Sequence, residues 1–272
     1  AMRRRTWILL GLTASSAAAF GLTRSKQARR RDEAALLVDE TYRELRAGSL
    51  GRARKLAETA LALAPADVRV RAAWIEASAL SLVEDVSSGA LAVGLVSAAH
   101  QRAADPEEMA VATLASAIGM HNDRLALSLL AQHADQGVGS GAIYAFLRGA
   151  ALELGEKGGA AEAFEQSRAA WVDAVLPALR LARAHLFAGR LEPARAALGG
   201  ELAVTTAGRV LVTAIERAAS KKPLFLQLAA GEIDALPRSL RPLAVALGVH
   251  PDDPTRGIDA ALADIESPSV GI

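Results

Sequence analysis

The chain has 272 residues, enough for one large or two small domains, and contains no cysteine. That absence excludes disulfide scaffolds, thiolate zinc sites, iron–sulfur clusters, cysteine nucleophiles and a cysteine-linked lipid anchor. The net charge of +1 conceals a division: residues 1–31 hold eight of the 31 Lys and Arg residues and no acid, which leaves 23 bases against 30 acids in residues 32–272 and argues against nucleic acid as a partner.

The first element is the stretch from Thr6 to Thr23, which carries no charged side chain. Eighteen residues of helix rise about 27 Å, close to the ~30 Å hydrocarbon core of a bilayer. Trp7, Ile8, Leu9, Leu10 and Leu12 make its first half strongly apolar, while the second half, which includes Phe20 and Leu22, is mainly Ala and Ser. Arg3, Arg4 and Arg5 precede it, and Arg24, Lys26, Arg29, Arg30 and Arg31 follow. Length and flanking bases point to a separate N-terminal transmembrane helix, so that residues 1–31 form a single-pass membrane anchor. Three other readings stand beside it: a cleaved export signal with Ala17-Ala18-Ala19 at the cleavage site, an organelle transit peptide, and a buried first helix. Five bases after the stretch against three before it lean towards a bacterial inner-membrane protein with a cytoplasmic body; the periplasm is the alternative.

From Asp32 onward the pattern is helix, short turn, helix. Apolar residues recur at spacings of three and four, as in Leu36, Leu37, Tyr42 and Leu45, with no run of alternating β-branched residues. Hydrophobic residues make up 51% of the chain but aromatics only 4%, so Ala, Leu and Val supply most apolar side chains, which suits closely packed helices. The turns repeat: Gly48, Gly89, Asn122, Gly155 and Gly189 lie 41, 33, 33 and 34 residues apart, each expected to end a helix in a left-handed cap. Five residues after each turn stand Ala53, Gly94, Leu127, Ala160 and Ala194, four of them small enough for close helix approach. Eight before the last three turns, Leu114, Leu147 and Leu181 occupy matching core positions. Pro65 and Pro106 stand 17 residues after the first two turns, where proline stops a helix.

These spacings, with the stretches Ala47-Gly48-Ser49-Leu50-Gly51-Arg52-Ala53 and Ala188-Gly189-Arg190-Leu191-Glu192-Pro193-Ala194, resemble the tetratricopeptide repeat family. The resemblance covers residues 34–205 and implies an all-α, right-handed solenoid of helical hairpins over residues 32–205, about five units in all. It further implies a concave wall that takes a peptide or helix of a protein partner. Carrying the family's groove-facing positions across gives Tyr42, Leu45 and Arg46 in the first unit and Gly149, Leu152 and Glu153 in the fourth. The fifth contributes Arg183, Leu186 and Phe187. Arg46 and Arg183 are expected to be exposed and to pair with a partner carboxylate; the competing reading makes the Leu and Phe residues ordinary core between repeats. The family's Lys/Asn clamp for C-terminal peptides is not reproduced.

Residues 206–248 lose the period. Helices near 207–220, 223–230 and 239–247 are expected to cap the apolar end of the stack. Residues 249–272 are expected to form a short helix, Thr255 to Ile265, and a loose tail.

Chemistry-bearing patterns are sparse. Gly137-Val138-Gly139-Ser140-Gly141-Ala142 has the glycine spacing of a dinucleotide-binding turn, but a helix rather than a strand is expected before it, so a linker between repeats is the cheaper reading. The five histidines, His100, His121, His133, His185 and His250, show no paired-ligand spacing. His250, Asp252 and Asp253 offer a weak cation set that a helix cap explains as well. The glutamates are spaced as solvated helix faces, not as an acid–base pair. The expectation is therefore no enzyme, no cofactor and no metal, but a membrane-tethered scaffold or adaptor that binds a protein partner. The alternatives are an exported periplasmic factor for envelope assembly or chaperoning, and a cofactor-binding or enzymatic region within residues 206–272.

Overall fold

The computed structural model describes residues 27–248, except 86, 87, 103, 222 and 223. Every regular element among them is helical. Helix α1 occupies residues 27–46, followed by α2 (Leu50–Leu63), α3 (Val68–Glu84), α4 (Gly89–Gln101), α5 (Pro106–Gly119) and α6 (Asp123–Gln136). Next come α7 (Ala142–Leu154), α8 (Ala160–Ala170), α9 (Val175–Phe187), α10 (Leu191–Ala203) and α11 (Thr206–Ser220). The described chain closes with α12 (Ala230–Asp234), a 3-10 turn (Arg238–Leu240) and α13 (Arg241–Gly248). The membrane-anchor residues Trp7, Ile8, Leu9, Leu10, Leu12, Phe20 and Leu22 and the final helix expected from Thr255 lie outside the described residues. Among the described residues no helix is long and apolar enough to cross a membrane.

The helices form where apolar stripes and capping side chains coincide. Ala34, Val38, Thr41 and Leu45 make one buried stripe along α1. Asp67 caps α3 through the amides of Arg69 and Val70, and Asn122 caps α6 through Leu125. Asp105 and Glu108 form a reciprocal capping box at the start of α5, with Pro106 in its first turn. Pro106 therefore opens a helix, against the expectation that it stops one, because its fixed φ and missing N–H suit a first turn. Helices α3 and α5 bury almost every side chain of their second halves and form the middle of the stack.

Packing is mainly between neighbours. Each helix from α2 to α10 meets the next in sequence, and the odd-numbered helices also stack on one another in the pairs α3–α5, α5–α7 and α9–α11. The small residue that permits close approach recurs as Ala53, Ala92, Ala126, Ala160 and Ala194, all buried, the last four at intervals of 34. Ala92 and Ala126 replace the expected Gly94, which is exposed, and Leu127, which is half-buried. The shift arises because Gly89 does not end α3; it is the first residue of α4, capped by Ser88. The left-handed backbone of the hairpin turns falls on Gly48, His121, Glu156 and Gly189, so the turn geometry repeats while its glycine does not. Asn122 and Gly155 have negative φ.

Gly94 sits inside α4 with open space around the position of a Cβ, whereas a Cβ on Gly149 of α7 would lie 2.6 Å from the Phe164 ring of α8. Gly94→Ala is expected to stabilise the chain by about 0.5–1 kcal/mol, the usual penalty of a helix-interior glycine. Gly149→Ala is expected to cost about 1–3 kcal/mol through overpacking. Urea unfolding of the two variants distinguishes them, and shifts of the same sign would contradict this packing.

At the C-terminal end, α11 agrees with the expected first cap helix. The expected helix over residues 223–230 is absent: residues 224–229 are not helical, and the Leu226 amide donates to the carbonyl of Leu247 at 3.0 Å. Four further contacts join elements remote in sequence. Glu84 at the end of α3 accepts from Arg180 Nε of α9 at 2.5 Å and from the Ser239 hydroxyl at 2.9 Å, and Arg238 meets His121. Val175 lies beside Gly48 in the first turn. The stack thus curls until its early hairpins touch α9 and the C-terminal segment.

Candidate functional site

The curl brings the end of α7, the start of α8 and the end of α9 around a cavity of about 340 Å3. Glu153, Lys157, Gly159, Arg183, Phe187 and Arg190 contribute to its lining, with Glu162 as a further acid. Its floor is fixed by a buried ion network. Arg180 gives Nε to Glu84 and Nη1 to Glu153, and Arg183 gives Nη1 to the same Glu153 oxygen at 2.9 Å. The Glu84 side chain is 0% exposed. Burial alone would lower the Arg180 guanidinium, but the Glu84 and Glu153 carboxylates more than reverse this and hold it above its ordinary value. Burial lowers Arg183 against the pull of Glu153, and the charge of Arg180 adds to the fall.

The rim is different. Phe187 is 62% exposed, the Arg183 guanidinium lies 4.7 Å from its ring centre, and Arg183 Nε is buried without a hydrogen-bond partner among the described residues. Lys157 and Arg190 are exposed and make no ion pair among the described residues. Gly159 precedes α8 in a left-handed conformation and offers no side-chain cap. The rim thus sets an exposed aromatic ring beside an arginine guanidinium.

The sequence-predicted residues divide. Glu153, Arg183 and Phe187 line the cavity, and Leu152 packs half-buried beneath Gly159. Arg183 is less open than expected, with 22% of its side chain exposed, because Glu153 holds it. Leu186 packs instead towards the cluster of α11 and α13. Gly149 lies against Phe164, Leu45 is in the core, and Arg46 is exposed on α1; none of these lines the cavity. Lys157, Gly159 and Arg190 were missed. They follow Gly155 and Gly189, the turns of successive hairpins, and turns of neighbouring repeats lie at one edge of a stack.

Tyr42 is half-buried between α1 and α3 and faces Glu76. Burial raises the Glu76 carboxyl from its ordinary 4.5 to about 6; a hydrogen bond with Tyr42 opposes the rise and the charge of Glu108 adds to it. A carboxyl raised on folding contributes its full stability below the unfolded value and loses it as pH climbs through about 6. Glu76→Gln is therefore expected to flatten the loss of stability between acid and neutral pH and to gain about 1 kcal/mol at neutrality. Urea titrations on both sides of this window check it; parallel pH profiles for the two proteins would contradict it.

The glycine-rich run at residues 137–142 links α6 to α7, and its amides are already engaged: Gly139 and Ser140 donate to Glu107 at 2.6 and 3.3 Å. The internal carboxylate takes the place a phosphate would need. His250, Asp252 and Asp253 lie outside the described residues.

No family model, curated protein or solved structure matches the chain. The functional reading therefore rests on the cleft itself.

Proposed function

We propose that the chain is a membrane-tethered, right-handed tetratricopeptide-like solenoid that serves as a scaffold or adaptor, holding a protein partner at the cleft between α7, α8 and α9. The single observation that carries the reading is Phe187, a large aromatic left open beside Arg183 at the rim of a preformed cavity. Aromatic and arginine side chains at the centre of a contact supply most of the affinity of protein interfaces. Serial packing of small-residue hairpins supports the solenoid, because such stacks present rigid turns and edges at regular intervals. The uncharged stretch from Thr6 to Thr23 between clusters of arginine supports the tether, with the body on the cytoplasmic side of a bacterial inner membrane.

The test is a chemical cross-linking pull-down from native membranes with the full chain as bait. The wild type is expected to recover a discrete partner, and Phe187→Ala to lower that recovery at least about tenfold, as loss of a central anchor does. Leu36→Ala, at a residue 71% exposed on α1, serves as control and is expected to leave recovery unchanged. Equal recovery by wild type and Phe187→Ala would overturn the assignment of the cleft.

A further inference from the structure

We propose that the occupant of this cleft is an acidic segment of the partner protein that carries an aromatic or large apolar residue between its carboxylates; the proposal rests on the adaptor reading above. Three cations line the cavity: Lys157 at the α7–α8 turn, Arg183 on α9 and Arg190 at the start of α10. Lys157 and Arg190 have no ion pair, and the buried Arg183 Nε no hydrogen-bond partner, among the described residues. The acids on the same wall do not fully cancel them: Arg183 is itself paired with Glu153, and Glu162 stands against both Lys157 and Arg190. Glu153 is committed to Arg180 and Arg183, which leaves Glu162 as the uncommitted carboxylate of the lining.

Residues 27–248 hold 25 Lys and Arg against 25 Asp and Glu, so no net charge of the surrounding body masks this local excess. On a body without net charge, a cationic edge attracts an acidic segment at short range and favours it over a basic one. Phe187 supplies the other half of the recognition. Its open ring is available for a stacked aromatic or an apolar side chain, next to guanidinium groups that accept carboxylates in a forked geometry. The cavity volume, about 340 Å3, is at the low end for a small-molecule site and suits one side chain with a neighbouring carboxylate better than a nucleotide-sized cofactor. The contact lies at the hairpin-turn edge of the fourth and fifth units and needs no free chain terminus, since nothing in the lining is arranged around a terminal carboxylate.

The experiment uses the purified full chain and three fluorescein-labelled peptides blocked at both ends: one of Asp and Glu around a central Phe, one with the acids replaced by Lys, and one with the Phe replaced by Ser. Fluorescence anisotropy is expected to show the first peptide binding at least tenfold more tightly than either of the others. Lys157→Glu and Arg190→Glu are each expected to abolish the preference for acid over Lys, and Phe187→Ala to abolish the preference for Phe over Ser; circular dichroism verifies that the variants are folded. Equal binding of the acidic and Lys peptides, or an acid preference unchanged in both charge reversals, overturns the proposal. So does binding of the acidic peptide only after residues 249–272 are removed, which would assign the cleft to the chain's own Asp252, Asp253, Asp259, Asp264 and Glu266. A partner recovered through Phe187 in native membranes without any acid preference here would leave the adaptor reading standing and remove this proposal alone.

Discussion

Arg180→Met is expected to lower the stability of the folded chain by about 3–5 kcal/mol, the loss found when one member of a buried ion pair is removed. Arg180 is the only described cation that reaches both Glu84 and Glu153, and it also lies about 6 Å from the rings of Phe146 and Phe164. Its removal leaves the fully buried Glu84 carboxylate with only the amide and hydroxyl of Ser239. Met restores much of the packing volume, so the loss measures the stranded charge more than a cavity. The double variant Glu84→Leu/Arg180→Met removes that charge and is expected to be more stable than Arg180→Met alone. Urea unfolding of the three proteins gives the comparison. A single variant with wild-type stability would mean that α3 and α9 are not joined through this pair, and the curl of the stack would lose its main fastening.

The second large effect is expected at the junction of α10 and α11. Gly208 is buried in the first turn of α11, and a Cβ there would stand 1.9 Å from the Leu202 carbonyl oxygen and 2.9 Å from Ala203 Cα. These neighbours are backbone, so no rotamer change relieves the contact; the end of α10 must move away. Thr205 ties the same junction, giving its hydroxyl to Leu202 O at 2.7 Å and accepting the Gly208 amide at 3.0 Å. Gly208→Ala is therefore expected to cost about 3 kcal/mol, the upper part of the overpacking range. Thr205→Ala, which loses the cap and the hydroxyl's bond to Leu202 but adds no clash, is expected to cost about 1 kcal/mol. Thermal unfolding orders the two, and a Gly208→Ala protein as stable as the wild type would contradict the close approach of these helices.

Much of the helical framework was legible because it rests on local rules. Apolar spacing marks α11 directly, over the expected 207–220, and the small residues Ala53, Ala160 and Ala194 identify close helix contacts, whereas the starts of α5 and α6 read the other way, Pro106 as a stop and Asn122 as a helix end. Register failed in the second and third hairpins for a physical reason. Gly89 reads as a helix terminator, but a glycine is also tolerated at a helix start once Ser88 supplies the cap, and α3 has already stopped at Glu84. His121 and Glu156 then hide the remaining turns, because they adopt the left-handed conformation that the spacing assigned to Asn122 and Gly155.

The site was half legible. Glu153, Arg183 and Phe187 come from the groove-facing positions that the resemblance to the tetratricopeptide repeat family implies, not from local chemistry. The bond from Glu84 to Arg180 spans 96 residues and that from Glu84 to Ser239 spans 155, and a repeat relates only adjacent units. Nothing local in Glu84 distinguishes it from a solvated glutamate; only the curl of the whole stack buries it.

The most direct test of the account is a hydrogen-exchange footprint of the full chain with and without the partner recovered through the cleft. The account predicts slowed exchange concentrated in residues 153–162 and 183–190, with α1 and α2 unchanged. Protection centred on α1 to α3, or none anywhere among the hairpins, would contradict it.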